Sequence, residues 1–222
     1  MDIVEAIRTR KSIRGYKSDP VPKEILKEIF EIATRAPSSD NCQPWEITVI
    51  TGDVLENIRK ANIEALTTGK PITPEYTSVP YKGLHRVRQL DLGMQIFQLM
   101  DITREDKEKK FQWMQRGFRF FDAPTAILLT ADRALEPTHA ASDIGGLAQT
   151  ICLAALNYGL GTCIASQMSM YADVVRRFTE IPESKKLYWF ITIGYPDWDY
   201  PANEVQSERE SLDANTTWLG FD

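Results

Sequence analysis

The chain has 222 residues, enough for one domain with a sizeable core. Hydrophobic residues make up 43% and charged residues 26%, which excludes a disordered chain, a collagen and a disulfide miniprotein. Lys and Arg number 26 against 31 Asp and Glu, and the resulting charge of −5 argues against a protein whose main task is coating nucleic acid or anionic lipid.

Ile3, Val4 and Ile7 share one helical stripe behind Asp2, a residue type that caps helix N-termini. Pro20 and Pro22 open a second helix with Ile25, Leu26, Ile29, Phe30 and Ala33 on its apolar face. Pro37 disfavours helical geometry at Ala36 and so ends it. Glu46 to Thr51 alternates and is rich in β-branched residues, which predicts a strand. Gly52-Asp53 reads as a turn before a third helix near Val54 to Ala65. Residues 67–83 hold Gly69, Pro71, Pro74 and Pro80 and read as loop, and 67–90 is a candidate active-site lid.

Leu90 to Met100 and Glu105 to Arg116 read as helices. Thr125 to Ala131 is a predicted strand, and Asp143 to Leu156 a long helix rich in Gly and Ala. Thr162 to Ser166 is a short buried strand, Tyr171 to Phe178 a helix, and Leu187 to Gly194 a strand ending in the turn Gly194-Tyr195-Pro196-Asp197. Residues 201–222 have weak periodicity yet carry Leu212, Trp218, Leu219 and Phe221, the pattern of an arm that docks on another surface, a partner subunit being one candidate. No linker divides residues 1–222, so the expectation is a single α+β or α/β domain around a sheet of at least four strands.

No segment reaches the roughly 20 apolar residues that span a bilayer. Met1-Asp2-Ile3-Val4-Glu5 lacks the features of a secretory leader. Cys42, Cys152 and Cys163 are an odd number at spacings that match no zinc motif, so free thiols in a reducing, cytoplasmic setting are expected.

Two segments concentrate chemistry. Arg8, Arg10, Lys11, Arg14 and Lys17 occur with no acid between Arg8 and Ser18. With the hydroxyl of Ser12 they form a candidate anion site, since the Arg fork suits phosphate. On composition alone, a solvated basic turn is the simpler reading. Pro37-Ser38-Ser39-Asp40-Asn41-Cys42-Gln43-Pro44-Trp45 packs hydroxyls and amides between a helix and a strand, where it can present polar groups to a heterocycle or merely connect. Gly159-Leu160-Gly161 lacks a third glycine and precedes a strand, so it is not a dinucleotide fingerprint. His85 and His139 read as surface or capping residues, and Cys42 as a packing residue without a neighbouring His.

Arg10-Lys11-Ser12-Ile13-Arg14, the 37–45 segment, Phe121-Asp122-Ala123-Pro124, Leu160-Gly161-Thr162, Gly194-Tyr195-Pro196 and Arg209 follow in an order that resembles the nitroreductase-like family of FMN-dependent oxidoreductases. The resemblance runs over nearly the whole chain. It implies an α+β, three-layer fold with a central, mainly antiparallel sheet flanked by helices. It also implies an extended C-terminal arm and an intertwined homodimer with two flavins at the interface. By position, Arg10, Ser12 and Arg209 match the phosphate contacts, and Arg14, with Lys11 in the same segment, the cation near the flavin ring. Pro37, Ser38, Ser39 and Asn41 match the loop that contacts the flavin, from the other subunit, and Ile164, Ala165 and Ser166 the strand end beside the ring.

The implied chemistry is carried by FMN, with no catalytic side chain and no metal. NADH or NADPH would be the co-substrate. A nitroaromatic, quinone or similar electron-poor small molecule would be the acceptor, in a ping-pong cycle at one site. Tyr76, Phe120 and Phe121 are candidates for substrate contact, although the Trp113, Phe118, Phe120 and Phe121 group reads first as core or interface. Alternatives are a dehalogenase, an enoate reductase or a dehydrogenase on a specific metabolite, a flavin-binding protein without turnover, and a helix-rich interaction protein. The 67–90 segment shows no Glu/Tyr/Lys spacing of the iodotyrosine dehalogenase branch.

Overall fold

The computed structural model describes residues 1–76 and 79–221. Helices α1 (Ile3–Thr9) and α2 (Lys23–Ala33) precede strand β1 (Glu46–Thr51). Helices α3 (Gly52–Thr67), α4 (Gly83–Leu99) and α5 (Lys107–Phe118) follow, then β2 (Thr125–Asp132), α6 (Pro137–Leu156), β3 (Gly161–Ala165), α7 (Ala172–Thr179), β4 (Lys185–Gly194) and the short α8 (Leu212–Asn215). The four strands lie in the order β1-β2-β4-β3, every neighbouring pair antiparallel.

Three layers follow from the side-chain alternation of the central strands. Ile127, Leu129 and Ala131 of β2 and Ile191 and Ile193 of β4 face α2 and α6, meeting Ile29, Ile144, Leu147 and Ile151. Ala126 and Leu128, with Phe190, face the other way onto Leu55 and Ile58 of α3 and Val175 of α7. Each such aliphatic side chain contributes about 1.5–3 kcal/mol relative to exposure. These two apolar sheets of contact, one on each face, make up most of the core.

Some elements run further than their sequence periodicity predicts, each for a local reason. Helix α6 starts at Pro137, because the Glu136 carboxylate accepts from the His139 amide at 2.7 Å and Pro137 fits the first turn. Helix α4 reaches back to Gly83, since no proline lies between Pro80 and its end. Gly52 and Asp53 form the first turn of α3 instead of a separate turn. Asp2 caps α1 as expected, its carboxylate accepting from Val4 and Glu5. Yet Ile3, Val4 and Ile7 are exposed in this chain, and only Ala6 of that helix is buried.

Candidate cofactor site

The basic segment is fastened along the free edge of β3. Arg10 leaves α1 in an extended conformation. Ser12 pairs with Thr162 in a parallel bridge, and Ile13, which is buried, donates its amide to the Thr162 carbonyl at 2.9 Å. Two close approaches allow this. A Cβ on Gly161 would lie 2.5 Å from Ile13 Cγ1, and one on Gly15 would lie 2.3 Å from the Tyr200 ring. Tyr16 donates to the Ile13 carbonyl at 2.9 Å and shares a 2.7 Å hydrogen bond with the Thr192 hydroxyl.

Asn203, only 1% exposed, locks the turn that follows. Its Oδ1 accepts from the amides of Arg14 (2.7 Å) and Gly15 (3.1 Å), and its Nδ2 donates to the carbonyls of Gly15 (2.8 Å) and Asp197 (2.7 Å). Behind it, Arg116 donates to the Arg14 carbonyl and to Asp122.

Arg10, Lys11 and Arg14 are half-buried, and among the described residues none has a carboxylate oxygen within 4 Å. A partly desolvated cation without a counter-charge is costly, so this edge favours an anion. The donor set suits a phosphate: two guanidinium forks, an ammonium and the Ser12 hydroxyl on one short run. Burial pushes the Cys163 thiol up, with Arg14, Ser12 and Arg10 pulling the other way, and burial carries Cys152 up to about 11. Both thiols are therefore protonated packing groups beside the basic segment.

The 37–45 segment holds itself differently. Ser38 Oγ accepts from the Gln43 amide at 3.0 Å, closing a short turn over Ser39–Asn41. Asp40, Asn41 and Gln43 have φ of 48°, 56° and 46°, a left-handed run that costs about 1–2 kcal/mol per residue for ordinary side chains and less for Asp and Asn. Pro37, Asn41 and Cys42 are exposed, and Ser38 and Ser39 are partly so. The anchor is Asp143 of α6, whose Oδ2 accepts from the Ser39 amide at 3.1 Å. No hydrogen bond or ion pair between described residues joins this loop to residues 10–14 of the same chain.

At the end of β3, Ile164, Ala165, Ser166 and Gln167 line a cavity of about 350 Å³ closed on one side by Trp189. Tyr76 donates to the Ser166 carbonyl at 3.3 Å, and its ring centroid lies 6.2 Å from that of Trp189.

A sequence model of the nitroreductase family matches residues 7–195. The chain belongs to the nitroreductase family. It is 35% identical to a nitrobenzene nitroreductase of Ectopseudomonas oleovorans, over 98% of this chain and 96% of that one. Its fold superposes with a TM-score of 0.95, at 30% identity and 100% coverage of both chains, on the crystal structure of the FMN- and NADPH-dependent nitroreductase NfnB from sphigopyxis sp. strain HMH. A TM-score of 0.91, at 29% identity and 97% coverage of both, relates it to the FMN-dependent nitroreductase NfnB from Mycobacterium smegmatis in complex with NADPH. The three-layer α+β architecture expected from the sequence is thus that of a nitroreductase fold.

Within this nitroreductase-family chain, the expected site residues fall into separate groups. Arg10, Lys11, Ser12 and Arg14 share the β3 edge with Ile164, Ala165 and Ser166. Pro37, Ser38, Ser39 and Asn41 sit on the Asp143-anchored loop. Arg209 is exposed, donates to the carbonyls of Ser207 and Glu208 at 2.9 Å, and lines a cavity of about 610 Å³ between α4 and the arm with Arg88, Asp91 and Glu210. Among the described residues its hydrogen bonds go to Ser207 and Glu208 and none to Arg10 or Ser12.

Phe120 and Phe121 correct the expectation of substrate contact. They are 0% and 7% exposed and belong to the core. Phe120 packs edge-on against Phe190 at 4.9 Å. Phe120, Phe121 and Asp122 form a left-handed turn that drives both rings inward, braced by Arg116 and Arg119 on the Asp122 carboxylate.

Of the candidate lid 67–90, residues 83–90 are the first turns of α4, and Thr77 and Ser78 lie outside the described residues. The preceding stretch is pinned. Lys70 and Thr73 both donate to Asp173, and the Glu75 carboxylate accepts from Arg176 and the Leu187 amide and forms an ion pair with Arg133. Tyr76 is thereby delivered to the cavity rim.

Asp143, Asn203, Trp189 and Glu75 escaped the sequence reading. Asp143 alone left a signal, as the one acid in the otherwise uncharged run from Pro137 to Leu156.

Proposed function

We propose that this chain is an FMN-dependent oxidoreductase that draws electrons from NADH or NADPH and passes them to a nitroaromatic, a quinone or a similar electron-poor small molecule. What carries the reading is the row of half-buried cations without carboxylate partners among the described residues, on the edge of the strand whose end lines the cavity. When bound, FMN accepts a hydride from the reduced nicotinamide and delivers the reducing equivalents to the acceptor.

The protein's part is binding and electrostatics. Arg10 and Ser12 hold the phosphate dianion, with Arg209 of the arm as a further phosphate contact. Arg14, supported by Lys11, supplies positive charge for the reduced ring and so stabilises it. Ile164, Ala165 and Ser166 form the wall beside the ring, while Tyr76 and Trp189 narrow the entrance for the acceptor.

The functional unit is a homodimer. Ile3, Val4 and Ile7 on α1, Leu84, Val87, Leu90 and Met94 on α4, and Leu212, Trp218, Leu219 and Phe221 on the arm are all exposed, which is more apolar surface than a monomer usually leaves in water. A second copy covers it and brings Pro37, Ser38, Ser39 and Asn41 to the flavin of the first. No helix of the described residues is long and apolar enough to cross a membrane, and the reading places the enzyme in the cytoplasm.

The test is the visible spectrum of the purified protein before and after NADH or NADPH under argon. A flavin band that bleaches, and returns on adding a nitroaromatic, is the expected result. No band even after soaking with FMN would overturn the proposal.

A further inference from the structure

Asp143 stands out among the buried polar groups. It is 8% exposed, and among the described residues no Lys, Arg or His nitrogen lies within 4 Å of its carboxylate. Burying an unpaired carboxylate is unfavourable unless hydrogen bonds hold it. The bonds it does have all go to one place: the Ser39 amide at 3.1 Å and the Cys42 thiol at 3.8 Å. Its partial desolvation and the Asp143 carboxylate both raise the Cys42 thiol, so the sulfur remains a proton donor to the loop anchor.

The loop in turn needs an outside hold. Three of its residues are left-handed and none is glycine. Its internal bonds are few: Ser38 Oγ to the Gln43 amide, the Ser38 carbonyl to the Asn41 amide, the Ser39 carbonyl to the Cys42 amide, and the Gln43 amide group to the Asn41 carbonyl. Strained backbone persists only where the surroundings over-determine it. Among the described residues, the hydrogen bonds that tie it to the rigid core go to Asp143, on a helix packed against the sheet.

We propose that Asp143 is the positioning residue of the cofactor loop, a buried acceptor that fixes the left-handed arrangement in which Ser39 and Asn41 are presented to FMN. The inference rests on the reading that this loop contacts FMN. Asp143 itself touches neither cofactor nor acceptor. It acts by setting the Ser39 backbone.

The test titrates the FMN-free full-length protein with FMN, following quenching of flavin fluorescence, for three variants. Asp143→Ala removes the acceptor and is expected to weaken binding at least tenfold. Asp143→Asn keeps an oxygen that can accept from the Ser39 amide and is expected to stay within threefold. The double variant Ser39→Ala/Asn41→Ala reads the loop's own contact with FMN and is expected to weaken binding. Amide exchange across residues 38–43 is measured without FMN. It is expected to speed up in Asp143→Ala while α6 keeps its protection, an outcome that a general loss of stability would not give.

If Asp143→Ala leaves FMN affinity unchanged while the double variant weakens it, the positioning role is overturned and the loop reading stands. If both leave it unchanged, the loop reading fails and the inference with it. Should Asp143→Ala not fold, Ser39→Pro removes the same donor from the loop side at the first position of a short turn, where proline fits. Its affinity should then fall tenfold beyond that of Ser39→Ala, and equal affinities would overturn the role.

Discussion

The two segments assigned to the cofactor are held by opposite means. Residues 10–16 are built into the sheet: Ser12 and Ile13 bond to Thr162, Arg14 and Gly15 to Asn203, and Tyr16 to Thr192. Residues 38–43 carry three left-handed residues, and among the described residues their hydrogen bonds to the core go to one carboxylate. The first is a fixed platform whose charges are in place before any ligand arrives. The second is a poised contact, ordered by a single buried acceptor. A preorganised platform supplies affinity at little ordering cost, while the poised loop must be held at the moment of binding.

The largest effect is expected where the platform is most heavily determined. Asn203→Ala leaves the Arg14 and Gly15 amides without their partner in a site that is almost fully buried, while the Gly15 and Asp197 carbonyls keep the amides of Asp197 and Tyr200. Each orphaned group costs about 1–3 kcal/mol unless water replaces the side chain, so a total loss of about 3 kcal/mol in unfolding free energy is expected. Urea denaturation of the FMN-free protein measures it. A change below about 1 kcal/mol would mean that the segment is held by its β3 pairing alone.

Arg10→Ala separates charge from scaffold. The side chain makes no ion pair with a described residue, so folding stability should move little. FMN affinity should fall by about 1.5–3 kcal/mol, roughly 10- to 150-fold, the usual worth of a charge-assisted contact. Unchanged affinity would remove Arg10 from the phosphate site.

Acid attacks the platform through its backing. Asp122 lies under Arg116, which also donates to the Arg14 carbonyl. Burial disfavours the Asp122 carboxylate, but the Arg119 hydrogen bond and the charges of Arg116, Arg119 and Arg59 outweigh it and lower its pKa. A depressed folded-state value means that the stabilisation is complete above the ordinary carboxylate range. It is lost as pH falls through that range toward the folded-state value. Asp122→Asn is therefore expected to lower stability at neutral pH and to flatten the acid limb of a stability–pH profile. An unaltered acid limb would show that Asp122 does not back the platform.

The same contrast decides what could be read in the sequence. All four strands and the central helices were legible because β2 and β4 alternate between two apolar faces and α2 and α6 keep a helical stripe. The platform was legible as well, since Arg10, Lys11 and Arg14 form an acid-free cluster that local composition reveals. What holds each segment was not. Asn203 lies 189 residues from Arg14 and Asp143 lies 104 residues from Ser39, and no local period announces such pairs. Phe120 and Phe121 misled for a related reason. Their ring chemistry suits an acceptor, but a left-handed turn, invisible to periodicity in residues without glycine, points both into the core.

The smallest predicted effect sharpens the loop side of the comparison. Ser38→Ala deletes the acceptor for the Gln43 amide at a partly exposed position, where water can take its place. The expected cost is at most about 1 kcal/mol in global stability, because one solvent-accessible hydrogen bond contributes about 0.5–1.5 kcal/mol and its loss is local. Amide exchange at Gln43 should quicken while exchange at Ser39 stays slow, since Asp143 still holds that end. If both amides quicken together, the loop is a single cooperative turn closed by Ser38. If Gln43 alone responds, its two ends are held independently, and the poised character of the loop resides at Ser39 and its buried carboxylate.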